Sequence, residues 1–247
     1  MSESSRRLKT VVVMPAYNAG PTLLRTYQDV PREWVDLIIL VDDCSQDDTV
    51  ELASGLDIQV IAHGENRGYG GNQKTCYRNA LDQGADIIIM LHPDYQYDPR
   101  IIPRMISPIA DGEADIVFAS RFLGNPLEGN MPLYKYISNR LLTWLQNRIQ
   151  GTGFSEFHTG YRAYSRKALE TIPFSRNSDG FVFDNEIIIQ GLIKGMRFVE
   201  VPVETRYERD SSTVSFKGSL LYGIRVLRNL TRFLLHKHGI KRYAIFE

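Results

Sequence analysis

Residues 92–96 read His92-Pro93-Asp94-Tyr95-Gln96, so an imidazole, a carboxylate and an amide fall at alternate positions. In an extended chain alternate side chains project to one side, and His92, Asp94 and Gln96 would then offer nitrogen and oxygen donors to a divalent ion. The plain alternative is a loop with an incidental histidine. A second chemical signal is the pair Asp42-Asp43. Adjacent carboxylates repel unless donors or positive charge meet them, and a ribose hydroxyl or a base edge would suit. Residues 66–74 gather Gly68, Gly70 and Gly71 at the opening of a helix-like stretch that carries Lys74. Glycines there permit close backbone approach, and the free amides of a helix N-terminus favour phosphate. The spacing is neither G-x-G-x-x-G nor G-x-x-x-x-G-K-[ST], which excludes the two common nucleotide loops. Pro15-Ala16-Tyr17-Asn18 is a rigid turn carrying a flat ring and an amide, by itself a pattern of ordinary turns.

Each of these segments follows a short apolar run: Val11 to Met14, Leu37 to Val41, Ile58 to Ile61 and Ile87 to Leu91, with a fifth run at Ile116 to Phe118. Between them lie helix-like stretches at about 21–29, opened by Pro21, and at about 47–55, 70–83 and 100–111, closed by Gly55, Gly84 and Gly112. Ser45 or Asp47 would cap the second, and Asp47 with Asp48 would complement its dipole. This alternation predicts βαβ units around a mainly parallel sheet, and runs that are apolar throughout predict strands covered on both faces. In such folds ligands bind beyond the carboxyl ends of the strands, where the chemical segments fall. The second half predicts helices at Leu133 to Ile149, Glu186 to Lys194 and Ser219 to His236, and strands at Tyr161 to Ser165 and Phe198 to Val203, with Pro202 marking an edge. No repeat or linker divides the chain, so a single domain is expected.

The 247 residues are 43% hydrophobic and 23% charged, enough to bury a full core and too apolar for disorder. Basic and acidic residues balance at 29 each, which removes the bulk electrostatic case for a nucleic-acid partner. Cys44 and Cys76 offer neither a disulfide framework nor a zinc cluster, so a reducing, cytoplasmic setting is expected. The apolar run behind Arg6 and Arg7 is too short for a signal sequence, and no stretch approaches the roughly 20 apolar residues of a membrane span. A protein that is soluble, or peripheral on the inner face of the membrane, is expected.

In their order the segments resemble a family 2 glycosyltransferase of the A-type glycosyltransferase fold, and most of all the polyprenyl-phosphate sugar synthases of the dolichyl-phosphate mannosyltransferase kind. The resemblance runs from Val11 to about Ser215, through Pro15 to Asn18, Val41 to Thr49, Asn66 to Lys74, the 92–96 segment, Ala119 to Phe122, His158 to Tyr164 and Phe183 to Glu186, then Glu200 to Val203. It implies an α/β, Rossmann-like single domain with a mainly parallel central sheet. Residues 1–216 would be its catalytic part, extended by a basic amphipathic helix and tail over 217–247. It further implies that Pro15, Tyr17, Asn18, Asp42 and Asp43 hold the nucleotide of a nucleoside diphosphate sugar. Asn66, Gly68, Gly71 and Lys74 would frame nucleotide and sugar, and Arg121, Arg162 and Arg209 would face phosphates, including that of the acceptor. Asp94, Asp184, Glu186 and Arg121 would form the catalytic group, with Asp184 or Glu186 as general base. At the metal segment the family's Asp-x-Asp becomes His92-Pro93-Asp94. A neutral imidazole removes a negative charge and softens the ligand set, which favours manganese over magnesium. The family's Asp-x-Thr-Ser-Gly-Phe-Arg run is Glu156 to Arg162 here, and its Gly-x-Ser-Lys after Arg209 becomes Asp210-Ser211-Ser212-Thr213.

From Lys217 to Glu247 the chain carries seven basic residues and one acid, a net of +6, against −6 elsewhere. Arg225, Arg228 and Arg232 recur at helical spacing beside an apolar stripe of Leu220, Ile224, Leu227 and Leu234. Such a helix lies on an anionic membrane or packs on the domain or on a second copy. The leading expectation is inverting transfer of a hexose to a polyprenyl phosphate. Its rivals are a soluble enzyme with a saccharide or small-molecule acceptor and a non-catalytic nucleotide-sugar sensor.

Overall fold

The computed structural model describes residues 7–129, 131–206 and 216–247. The five early apolar runs form β1 (Thr10–Ala16), β2 (Leu37–Asp42), β3 (Gln59–Ala62), β4 (Ile87–Met90) and β5 (Ile116–Ser120). With β6 (Arg162–Ser165) and β7 (Phe198–Pro202) they make one seven-stranded sheet of order β3-β2-β1-β4-β6-β5-β7. The pairs are parallel except those of β6, which runs antiparallel to both β4 and β5. Pro202 sits on an edge strand, where its missing N–H interrupts no central ladder.

The continuous apolar runs divide by alternation. Val12, Met14, Ile38, Leu40 and Ile89 face one core with Leu23 of α1 (Gly20–Gln28), Ala53 of α2 (Thr49–Ser54) and Met105 of α4 (Ile102–Ala110). Val11, Val13, Ile39, Ile88 and Met90 face the other with Tyr77 of α3 (Gly68–Asp82), Leu169 of α6 (Arg166–Thr171) and Ile187 of α7 (Phe183–Ile193). Glycines at left-handed φ just past the helix ends, Gly84 at 76° and Gly112 at 71°, explain why α3 and α4 stop where the sequence indicates. Helix α2 starts later than expected. Ser45 turns back to Asp42 instead of capping, while Asp47 accepts the Thr49 N–H at 3.1 Å. Helix α7 starts earlier than expected, because the Gly180 carbonyl accepts the Phe183 N–H at 3.1 Å and begins the turn.

The last long helices are α5 (Leu133–Gln150) and α8 (Phe216–Lys237). Helix α8 docks through buried Val226, Asn229, Leu230 and Phe233, and Phe233 joins Ile189 of α7 and Phe246. Leu220, Ile224 and Leu227 are exposed, so the apolar stripe singled out in the sequence is not what packs on the domain. No described helix is long and apolar enough to cross a membrane.

Candidate functional site

The loops after β1, β2 and β4 lie at one edge of the sheet, where strand order reverses between β1 and β4. In open α/β sheets ligands bind at such a switch point. The three described non-glycine residues with left-handed φ all sit in these loops: Asn18 at 51°, Cys44 at 66° and Tyr95 at 56°. Asn18 stitches two of the loops together: its N–H donates to Ser45 Oγ at 2.8 Å and its Oδ1 accepts the Gln46 N–H at 2.8 Å. Tyr17 beside it is exposed, whereas Pro15 is buried in β1 opposite Val41. Asp42 and Asp43 are both buried. Ser45 meets Asp42, while Asp43 accepts N–H bonds from Arg67 at 2.8 Å and Gly68 at 2.9 Å and lies 2.8 Å from His63 Nδ1. The chain itself therefore relieves their repulsion, and Asp43 positions the loop that carries Asn66, whose Nδ2 donates to the Asp43 carbonyl at 3.1 Å.

The glycine run serves a different close approach from the phosphate contact its composition suggests. A Cβ on Gly70 would lie 2.2 Å from the Ser178 carbonyl oxygen, and one on Gly68 would lie 2.8 Å from that of Asp179. The Gly70 N–H donates to the Asp179 carbonyl at 2.7 Å, and Lys74 Nζ donates to the Asp179 carboxylate at 2.8 Å. The start of α3 is thus occupied by the 177–179 backbone and by Asp43, which corrects the reading of this helix end as an open phosphate cradle. At Gly71 the constraint is internal, since a Cβ would meet Arg67 Cβ at 2.9 Å.

Behind β4 the chain is not extended. It turns at Pro93 to Tyr95, so the one-sided alternation that an extended segment would give His92, Asp94 and Gln96 does not apply, although His92 and Asp94 still interact electrostatically. Gln96 is buried and gives its backbone N–H to Asp94 Oδ1 at 3.1 Å. His92 stacks on Tyr69, centroids 5.4 Å apart and planes 6° apart, over Gly160, where a Cβ would lie 2.9 Å from His92 Cε1. Its Nε2 is buried with no hydrogen-bond partner among the described residues, and burial lowers its pKa, so it is a neutral imidazole with an unused nitrogen. Burial raises the Asp94 pKa, and no ion pair to its carboxylate is found among the described residues. An orphaned nitrogen beside an uncompensated carboxylate fits a divalent ion. The described residues hold no group of three or more His, Cys, Asp or Glu that would bind one, so phosphate oxygens and water must complete any such site.

Asp184, at the start of α7, is tied on both oxygens. Tyr69 donates its hydroxyl at 2.6 Å, Gln73 its amide at 3.2 Å, and Arg162 its Nη1 at 3.2 Å. These three donors and the Arg162 charge fix the carboxylate in one orientation. Arg162 is fully buried and also donates to the Asp184 carbonyl at 3.0 Å. Its charge is matched inside the protein, which corrects the expectation that it faces a phosphate. Arg121 is likewise paired, through Nε at 2.8 Å, with the buried carboxylate of Glu156. Burial would raise the Glu156 pKa, but Arg121 and Asn139 hold it below the usual range. Glu186 accepts the Ser178 N–H at 2.7 Å, and burial raises its pKa. Arg209 and the 210–213 departure lie outside the described residues. Tyr69, Gln73 and Gly160, which sequence reasoning gave no role, complete the site. Tyr69 and Gln73 lay inside the singled-out 66–74 run, and only the fold brings them to Asp184.

A partly buried polar chain links this site to α8. Asn185 Nδ2 donates to Gln146 Oε1 at 2.6 Å, which orients that amide so that its nitrogen faces His158 Nε2 at 3.1 Å, while His158 Nδ1 meets the Tyr222 hydroxyl at 2.8 Å. Burial lowers the His158 pKa to about 4, and a proton on Nε2 would confront the Gln146 amide. The unfolded chain protonates first, near pH 6.5, so this contribution is complete above that pH and is lost as pH falls towards the folded value. About 3 kcal/mol should disappear across that window. Urea unfolding of the parent and of His158→Gln at both ends of the range checks this, because the glutamine variant should lack that slope.

Residues 11–173 match the family model described as glycosyl transferase family 2. Over 219 residues the chain is 31% identical to an uncharacterized protein of Methanocaldococcus jannaschii, with 89% of each chain covered. It is 28% identical over 214 residues to the UDP-N-acetylglucosamine–dolichyl-phosphate N-acetylglucosaminyltransferase of Methanococcus voltae, covering 79% of this chain and 85% of the relative. Glucosyl-3-phosphoglycerate synthase from Mycobacterium tuberculosis, solved with Mn2+, UDP and glucosyl-3-phosphoglycerate, shares the fold with a TM-score of 0.69 at 18% identity, over 96% of this chain and 82% of that one. The family match spans well over half of the chain, and the sheet has the A-type order, so the protein is a glycosyltransferase that belongs to glycosyl transferase family 2.

Proposed function

We propose that the protein transfers a hexose, with inversion, from a nucleoside diphosphate sugar to a polyprenyl phosphate at a membrane face. The observation that carries the acceptor is a pair of exposed apolar stripes on two packed helices: Leu133, Ile137, Leu141 and Trp144 on α5 and Leu220, Ile224 and Leu227 on α8. Seven large apolar side chains exposed on two packed helices suit burial in an apolar medium, and the exposed Arg225 and Arg228 on α8 suit anionic headgroups. The site chemistry agrees. A phosphate acceptor is already ionised near neutral pH and needs no strong base, which suits a site whose Asp184 is tied to Arg162. The Methanococcus relative acts, by its name, on dolichyl phosphate.

In this reading the loops of Tyr17, Asn18, Asp42, Asp43 and Asn66 take the nucleotide, and Asp94 with His92 holds a divalent ion, manganese in preference to magnesium. When bound, the ion would screen charge developing on the departing diphosphate. Tyr69, Gln73 and Arg162 keep Asp184 fixed beside the sugar, and Glu156 fixes Arg121. The test is transfer of labelled sugar from a panel of nucleotide sugars to polyprenyl phosphate in vesicles. Label should pass to the lipid, and Ile137→Glu with Trp144→Glu and Leu220→Glu should reduce that transfer by about tenfold or more without changing donor hydrolysis in the absence of vesicles. Equal transfer to a soluble saccharide regardless of vesicles would establish the soluble reading. Ultracentrifugation showing a dimer that the same variant dissociates would assign the stripes to a second copy. No turnover with any donor would leave a sensor.

A further inference from the structure

The arginines of α8 do not simply radiate into solvent. Arg225, Arg228 and Arg232 converge with Asn229, Glu186 and Ser178 on a cavity of about 250 Å³ between α8 and the 178–186 segment. Among the described residues Arg225 and Arg228 have neither a hydrogen-bond nor an ion-pair partner. Arg232 makes a 3.5 Å contact to Asn229 Oδ1, lies over the Tyr243 ring and is close enough to Glu186 to attract its carboxylate. The one carboxylate of the cavity, Glu186, already accepts the Ser178 N–H. Three guanidinium groups against one carboxylate in a shared concavity repel one another unless an anion joins them. Gly180 makes room: a Cβ there would lie 3.2 Å from Arg225 Nη1. By contrast, the arginines beside the donor crevice, Arg121 and Arg162, are compensated by Glu156 and Asp184.

We infer that this cavity binds a phosphate monoester group, held by Arg225, Arg228, Arg232 and Asn229. Several guanidinium forks around one point suit a tetrahedral anion with many acceptor positions. The wall of the cavity is also the segment that closes on the donor site. The Ser178 and Asp179 carbonyls pack against Gly70 and Gly68, and the Phe181 ring lies 4.8 Å from that of Tyr69, which holds Asp184. An anion in the cavity therefore braces residues 178–182 from behind. The phosphate could belong to a lipid headgroup, since the exposed stripe of α8 runs alongside, or to a free solute. The inference does not depend on the acceptor proposed above.

The test is calorimetric titration of the full chain with inorganic phosphate in a low-salt buffer. One saturable site is expected, weakened by about a hundredfold or more in Arg225→Gln/Arg228→Gln, the loss of one charge-assisted hydrogen bond per arginine, and unchanged in Asp94→Asn. A readout that needs no substitution is phenylglyoxal modification mapped by mass, in which phosphate but not equal chloride should protect Arg225 and Arg228. Sedimentation with phosphatidylcholine vesicles carrying phosphatidic acid, or phosphatidylglycerol at matched charge, separates the sources. Preference for phosphatidic acid that free phosphate abolishes identifies a lipid headgroup, and solution binding without that preference identifies a free phosphate. Absence of saturable binding, unaltered affinity in the double variant, or equal modification with and without phosphate overturns the inference.

Discussion

Asp94→Asn should lower sugar transfer by about three orders of magnitude while leaving the protein folded. Asp94 is half-buried, accepts a hydrogen bond from the Gln96 N–H, and has no ion-pair partner among the described residues. Its charge is therefore a burden on the ion-free fold, and replacing it with an isosteric amide should leave the melting temperature unchanged or raised. In the reaction the same charge helps hold the ion that stabilises the leaving diphosphate, and losing one such electrostatic contact in a closed site costs about 10²–10³ in rate, more when the ion goes with it. Single-turnover transfer and manganese-dependent nucleotide binding, measured on parent and variant, check both halves. His92→Asp should shift the metal preference towards magnesium by restoring an oxygen ligand. Near-parental transfer by Asp94→Asn would remove Asp94 from the mechanism.

The largest stability effect should come from Arg162→Met. Arg162 lies fully buried on β6, pairs with Asp184 at 3.2 Å, donates to the Phe157 carbonyl at 3.3 Å and packs over the Phe118 ring. Removing the guanidinium strands a carboxylate in the interior, which costs about 3–5 kcal/mol in comparable buried pairs. The double variant Arg162→Met/Asp184→Asn should recover much of that loss, because the uncompensated charge goes too. Urea unfolding of parent, single and double variants gives the comparison. A single variant within about 1 kcal/mol of the parent would show that the pair carries little, and would return Arg162 to the phosphate-facing role suggested by its sequence context.

Apolar alternation, glycine stops and the order of chemical segments are local properties, and they were sufficient for the mainly parallel sheet, the edge position of Pro202 and the placement of the chemical segments in the loops after β1, β2 and β4. The antiparallel insertion of β6 was not visible, since four residues of mixed polarity carry no mark of direction. Nor were the partners of the charged groups. Arg121 meets Glu156 across 35 residues, Arg162 meets Asp184 across 22, and Tyr69 reaches Asp184 across 115. A sequence displays which residues carry charge, but whether a charge is compensated depends on what the fold places within about 4 Å of it. The sequence alone therefore determined the family and the fold class. Only the tertiary structure decided that Arg121 and Arg162 are internally paired, that the glycines of α3 make room for the protein's own 178–179 backbone, and that Arg225 and Arg228 of α8 have no hydrogen-bond or ion-pair partner among the described residues.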